Sequence, residues 1–123
     1  MSVETSETTV ESTKIPFDQF LKVELRVAQI ESVELVEGSN KLYKLIVALG
    51  ANEPKRQLIS GIRKFYTPEQ LLNKRIVIIA ILEPAKIMGL ESQGMLLAAD
   101  DPSTGAVSLL IPDQELTPGS RIR

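Results

Sequence analysis

Lys86, Met88, Ser92, Gln93 and Met95 lie together in the segment Leu82 to Ala99 (LEPAKIMGLESQGMLLAA). They combine a cation, a hydroxyl, an amide and two polarizable thioethers. Pro84 and Gly89 interrupt what would otherwise be a continuous strand. Lys86 and Met88 are therefore expected on a connection, with Ser92, Gln93 and Met95 at the head of the next strand. This grouping suits a surface that meets phosphates, ribose hydroxyls and base faces. The competing reading is bland: Met88 and Met95 fill the core and Ser92 merely turns the chain.

Catalytic chemistry finds little support. Gly89-Leu90-Glu91-Ser92-Gln93-Gly94 looks like a nucleophile elbow, but its first glycine precedes the serine by three positions where G-x-S-x-G needs two. The chain has no histidine to activate a serine and no cysteine for a thiolate nucleophile, thiolate metal site or disulfide. Asp100-Asp101, followed by Pro-Ser-Thr-Gly, makes a better solvated turn than a metal site. Gly38-Ser39-Asn40-Lys41 lacks the second glycine and the Lys-Ser/Thr ending of a phosphate-binding loop. A binding module without cofactor or metal is the expectation, not an enzyme.

The charge distribution points the same way. The net charge of -2 over 123 residues conceals a basic middle. Residues 41–86 hold Lys41, Lys44, Lys55, Arg56, Arg63, Lys64, Lys74, Arg75 and Lys86 against Glu53, Glu69 and Glu83. Both flanks are acidic, so a basic face can coexist with a negative total. Residues 1–13 carry only acids among their charges and are rich in Ser and Thr, and they read as a disordered acidic tail. Residues 14–123 form the expected domain. With 43% hydrophobic residues, it can bury a core. No apolar run approaches the ~20 residues that span a bilayer, and no signal peptide is visible, so a cytoplasmic location is expected.

The elements that must position these residues are short. Residues 16–21 read as one helical turn anchored by Phe17 and Phe20. From Val23 the apolar positions alternate and slip phase twice, which suggests a bulged strand curving around a small barrel. Strands follow over 41–49 and 56–62, joined by a hairpin at 50–54. Thr67-Pro68-Glu69-Gln70 carries a capping box and a helix start. The unbroken apolar run from Arg75 to Leu82 reads as a strand buried on both sides. Residues 95–99 and 107–111 are further strands, hinged by 100–105, and 112–120 is a closing loop. The fold class is all-β with small α content. A helix inserted after strand three is the order of a five-stranded OB-fold barrel, which binds ligands on one strand face and its flanking loops.

Four stretches carry a resemblance to a known family: Phe17-Asp18-x-Phe20 leading into Leu25-Arg26-Val27-Ala28; Gly38 to Leu45; Pro84 to Gly89; and Glu91 to Ala99. The closing Leu110-Ile111-Pro112-Asp113 and Pro118 to Arg123 fit as well. Residues 15–123 resemble the tRNA-binding domain at the C-terminus of bacterial methionyl-tRNA synthetases. The same domain occurs as free-standing dimeric tRNA-binding proteins and as the beta subunit of archaeal methionyl-tRNA synthetase. A bacterial secretion-chaperone-like protein is related.

The resemblance implies an OB barrel with a C-terminal extension that completes a homodimer. It implies binding of tRNA, with little sequence preference, and a methionyl aminoacyl-tRNA synthetase as partner in trans; DNA and membrane are not expected partners. Carried over position by position, the tRNA contacts would be Asn40, Lys41, Lys86, Met88, Ser92 and Met95, with Arg26, Lys44, Ser60 and Lys64 as additions. Lys41, Lys64 and Lys86 would neutralise phosphates, and Ser92 and Asn40 would bond backbone or ribose. The alternative on the same fold is a chaperone-like protein that binds unfolded polypeptides.

Overall fold

Strand β1 (Leu25–Leu35) changes phase because it serves two neighbours in turn. Its first half runs antiparallel to β4 (Arg75–Ile79), with Leu25 opposite Ile79 and Gln29 opposite Arg75. Its second half pairs with β2 (Tyr43–Ala48), from Gln29 opposite Ala48 to Leu35 opposite Tyr43. The register shifts between Ile30 and Ser32, a bulge that lets one strand turn the corner of the barrel. The computed structural model describes residues 13–80 and 83–123. The tail expected over 1–13 lies outside them but for Thr13, as do Ile81 and Leu82.

Tyr43, Leu45 and Val47 of β2 point inward by simple alternation and meet Leu58 of β3 (Arg56–Ser60). Ile30, Ile76, Ile78, Leu96 and Leu109 complete the core with Leu71 from α2 (Pro68–Leu71), each worth about 1.5–3 kcal/mol when buried. The capping box forms as expected. The Thr67 hydroxyl accepts the Gln70 N–H at 3.3 Å, and the Gln70 side chain accepts the Thr67 N–H at 2.8 Å.

The sheet order is β3-β2-β1-β4-β7, with β7 spanning Met95–Leu96. Closure back onto β3 comes from the residues just before β7: the Gln93 N–H donates to the Gln57 carbonyl at 2.7 Å. The result is the expected nearly closed five-strand barrel with a helix after the third strand.

Several local expectations are corrected. Lys86 and Met88, expected on a plain connection, lie in a hairpin of β5 (Ala85–Ile87) and β6 (Leu90–Ser92), and Ser92 ends β6 instead of heading the next strand. The hairpin's two-residue turn is Met88-Gly89, with φ of 51° and 80°, the pattern whose twist matches paired strands. Methionine rarely adopts that conformation, so the sequence carried no turn signal beyond the glycine. Strand β4 alternates where burial on both sides was expected: Ile76 and Ile78 are buried, while Val77 and Ile79 are half-buried. Beside β4 lie β7 and the C-terminal segment, the Val77 N–H donating to the Leu110 carbonyl at 3.1 Å.

The strand expected over 95–99 breaks at Leu97 into β7 and β8 (Ala98–Asp100), the latter paired with β9 (Val107–Leu109). Beyond the closing loop, β10 (Arg121–Ile122) joins the start of β1. Phe17 and Phe20, expected as anchors, are exposed on α1 (Phe17–Phe20) with ring centroids 6.4 Å apart. No helix among the described residues is long and apolar enough to cross a membrane.

Candidate nucleic-acid interface

The loop after β1 is held by its own chain. Ser39 N–H donates to the Val36 carbonyl at 3.2 Å, and the Lys41 N–H donates to the Ser39 hydroxyl at 3.1 Å. The turn after β3 braces it from outside. Arg63 donates its N–H to the Lys41 carbonyl at 3.1 Å, and its guanidinium donates to the Ser39 carbonyl. Two loops thereby become one rigid end of the barrel, carrying exposed Asn40, Lys41 and Lys64. Nothing in the types or spacing of 61–66 marked Arg63 as the brace, because its partners lie about twenty residues back along the chain.

The β5–β6 hairpin reaches the same end. A Cβ built on Gly38 would sit 3.6 Å from the Met88 terminal methyl, so the hairpin tip touches the β1–β2 loop. Met88 nevertheless keeps 57% of its surface exposed. Lys86, also exposed, stands on β5 opposite Glu91 without forming an ion pair with it. Among the described residues, Lys41, Lys64 and Lys86 have no carboxylate partner, which leaves their ammonium groups available to an anion.

The remaining residues are placed differently. Ser92 is buried at 5% exposure. Its hydroxyl accepts the Ile59 N–H at 3.0 Å and donates to the Gly94 carbonyl at 3.0 Å. Gln93 and Gln57 work beside it: the Gln93 side chain accepts the Gln57 N–H, and the Gln57 amide donates to the Glu91 carbonyl, both at 2.9 Å. Side chains thus close the seam where a backbone ladder is incomplete. Ser60 is half-buried at the end of β3, opposite Tyr43. Met95 is exposed on β7, opposite Ile79.

The additional cations split. Lys44 pairs with Glu34 at 3.1 Å across β1 and β2. Arg26 is enclosed by Glu24 at 2.8 Å, by Glu53 and by the Gly119 carbonyl at 2.9 Å. Its hydrogen bond with Glu53 holds the guanidinium above its ordinary pKa and the Glu53 carboxyl below its own. Arg26 therefore staples β1 to the β2–β3 loop and the C-terminal segment, away from the two braced loops.

The family model described as "Putative tRNA binding domain" matches residues 25–121. A methionine–tRNA ligase of Methanothrix thermoacetophila is 50% identical over 109 residues, covering 89% of this chain and 16% of the ligase. The chain thus spans about a sixth of such a relative. Among solved structures, a MetRS-related protein from Pyrococcus horikoshii superposes with a TM-score of 0.82 at 34% identity, covering 89% of this chain and 98% of that one. A CsaA chaperone protein from Picrophilus torridus gives 0.80 at 28% identity, covering 89% and 100%.

Proposed function

The chain belongs to the tRNA-binding domain family, and from that premise we propose that it is a non-catalytic module that binds tRNA through its backbone and shape, with little dependence on sequence. One observation carries this reading: Asn40, Lys41, Lys64, Lys86 and Met88 gather on two mutually braced loops and a hairpin tip. Lys41, Lys64 and Lys86 meet phosphates, Asn40 bonds backbone or ribose, and Met88 packs on a sugar or base face. Ser92 acts one step back, holding the hairpin that carries Lys86 and Met88. Lys44 and Ser60 border this surface. Met95 extends it along the barrel wall, and Arg26 supports the fold behind it.

A homodimer and a methionyl-tRNA synthetase acting on the same tRNA complete the proposal, in a cytoplasmic setting. Exposed Phe17 and Leu21 on and after α1, with Leu110 and Ile111 in the C-terminal segment, supply apolar surface for a two-fold contact. Two linked binding faces raise effective concentration on one tRNA. Sedimentation equilibrium of the full chain tests this part, and a monomer at all concentrations would remove it.

The structural likeness to the CsaA chaperone protein of Picrophilus torridus supports a second reading, in which exposed Met88 and Met95 receive unfolded polypeptide. Anisotropy of labelled tRNA, titrated at several salt concentrations with an unfolded peptide as competitor, separates the two. An RNA surface loses affinity steeply with salt, log K falling by ~0.7–0.9 per phosphate neutralised for each decade of salt. Flat salt dependence with peptide competition would favour the chaperone.

A further inference from the structure

Phe65 stands on the braced turn after β3, beside Lys64 and two residues beyond Arg63, with 45% of its surface exposed. The other four aromatic residues are placed elsewhere. Phe17 and Phe20 lie on α1, ahead of the opposite end of β1. Tyr43 is buried, and Tyr66 packs against the core. An isolated exposed phenylalanine is commonplace, but this one is the sole exposed ring at the cationic end of the barrel.

Its backbone is also fixed. Phe65 N–H donates to the Ile62 carbonyl at 2.9 Å. The next residue is tied at both ends: the Tyr66 carbonyl accepts the Tyr43 hydroxyl at 2.8 Å, and the Tyr66 hydroxyl accepts the Leu109 N–H at 3.0 Å. A backbone held this way loses little freedom when something stacks on the ring it carries.

We propose that Phe65 is a stacking platform for one unpaired base of a bound RNA, a proposal that rests on the RNA-binding reading above. An unpaired nucleotide offers an anionic phosphate and a bare π-face together, and Lys64 and Phe65 present the matching pair of groups side by side. Bases within a continuous duplex are stacked already and cannot use the ring. The site therefore takes a loop, bulge or single-stranded end.

The chain contains no tryptophan, so Phe65→Trp places a single tryptophan reporter on the platform. Titrated with unfractionated tRNA, its emission should be quenched with the same midpoint as the anisotropy of labelled tRNA. A blunt, fully paired RNA duplex should leave the emission unchanged. Phe65→Leu keeps apolar bulk without the ring, and it should bind tRNA about tenfold more weakly with an unaltered salt slope. Binding seen by anisotropy without quenching, or a leucine variant as tight as the unsubstituted chain, would overturn the platform and leave RNA binding standing. No anisotropy change with the unsubstituted chain would overturn the RNA-binding reading and the platform with it.

Discussion

The Ser92 hydroxyl accepts the Ile59 N–H at 3.0 Å, across the seam where β6 meets β3 and the barrel closes. A side chain does here what a backbone carbonyl does elsewhere in the sheet, and together with the Gln57–Gln93 and Gln57–Glu91 bonds it ties the hairpin bearing Lys86 and Met88 to β3. Removing it leaves a buried N–H unsatisfied, which costs about 1–3 kcal/mol. Ser92→Ala should lower stability by that amount in urea unfolding. Hydrogen exchange should quicken at the Ile59 amide, and RNA affinity should fall only as the hairpin loosens. Full stability with lost affinity would instead make Ser92 a direct contact.

Lys86 is exposed and unpaired, so on the proposed reading it contributes to phosphate binding and little else. Lys86→Ala should weaken tRNA binding by roughly 1 kcal/mol and reduce the salt slope by ~1. Melting temperature should not move. An unchanged slope would take Lys86 out of the interface.

The Arg26–Glu53 pair links stability to pH. Arg26 depresses the Glu53 pKa, so the unfolded chain takes up this proton at higher pH than the folded one. The pair's contribution is complete above the ordinary Glu53 value of 4.5 and is lost as pH falls through the lower folded-state value. Glu53→Gln should be less stable at neutral pH and should show a shallower acid limb in melting temperature against pH. Asp101, also depressed by its bonds with Ser103, keeps part of that limb in the variant.

Gly119 lies at φ 96°, and a Cβ there would collide with the Leu49 carbonyl oxygen. Its own N–H donates to the Val27 carbonyl at 2.7 Å, tying the C-terminal segment to β1. Gly119→Ala combines left-handed strain with a backbone clash and should cost about 1–3 kcal/mol. Arg26 should lose its bond to the Gly119 carbonyl in the same variant. Equal melting temperatures would show that the segment can shift without cost.

Much of the barrel was legible because its signals are local. The alternation of Tyr43, Leu45 and Val47 specifies an inward face within one strand. The Thr67–Gln70 capping box is complete within four residues, and the phase slips after Val27 announced a bulge. Asn40, Lys41 and Lys64 came from the family resemblance, and Lys41, expected in the strand 41–49, lies in the loop before β2 (Tyr43–Ala48). The Met88-Gly89 hairpin was missed because its turn uses a methionine in a conformation that sequence rules reserve for glycine and asparagine.

By itself, the sequence determined the first four barrel strands along the chain, the helix after strand three and a basic middle fit for an anion. Tertiary structure alone decided which polar side chains remain free to use. Ser92 and Ile59 are 33 residues apart, Arg26 and Glu53 27 apart, and no local pattern reports that their groups consume each other. A hydroxyl or guanidinium has the same chemistry in either role. Whether it faces solvent or spends its hydrogen bonds on the fold depends on which distant backbone the closing barrel brings beside it.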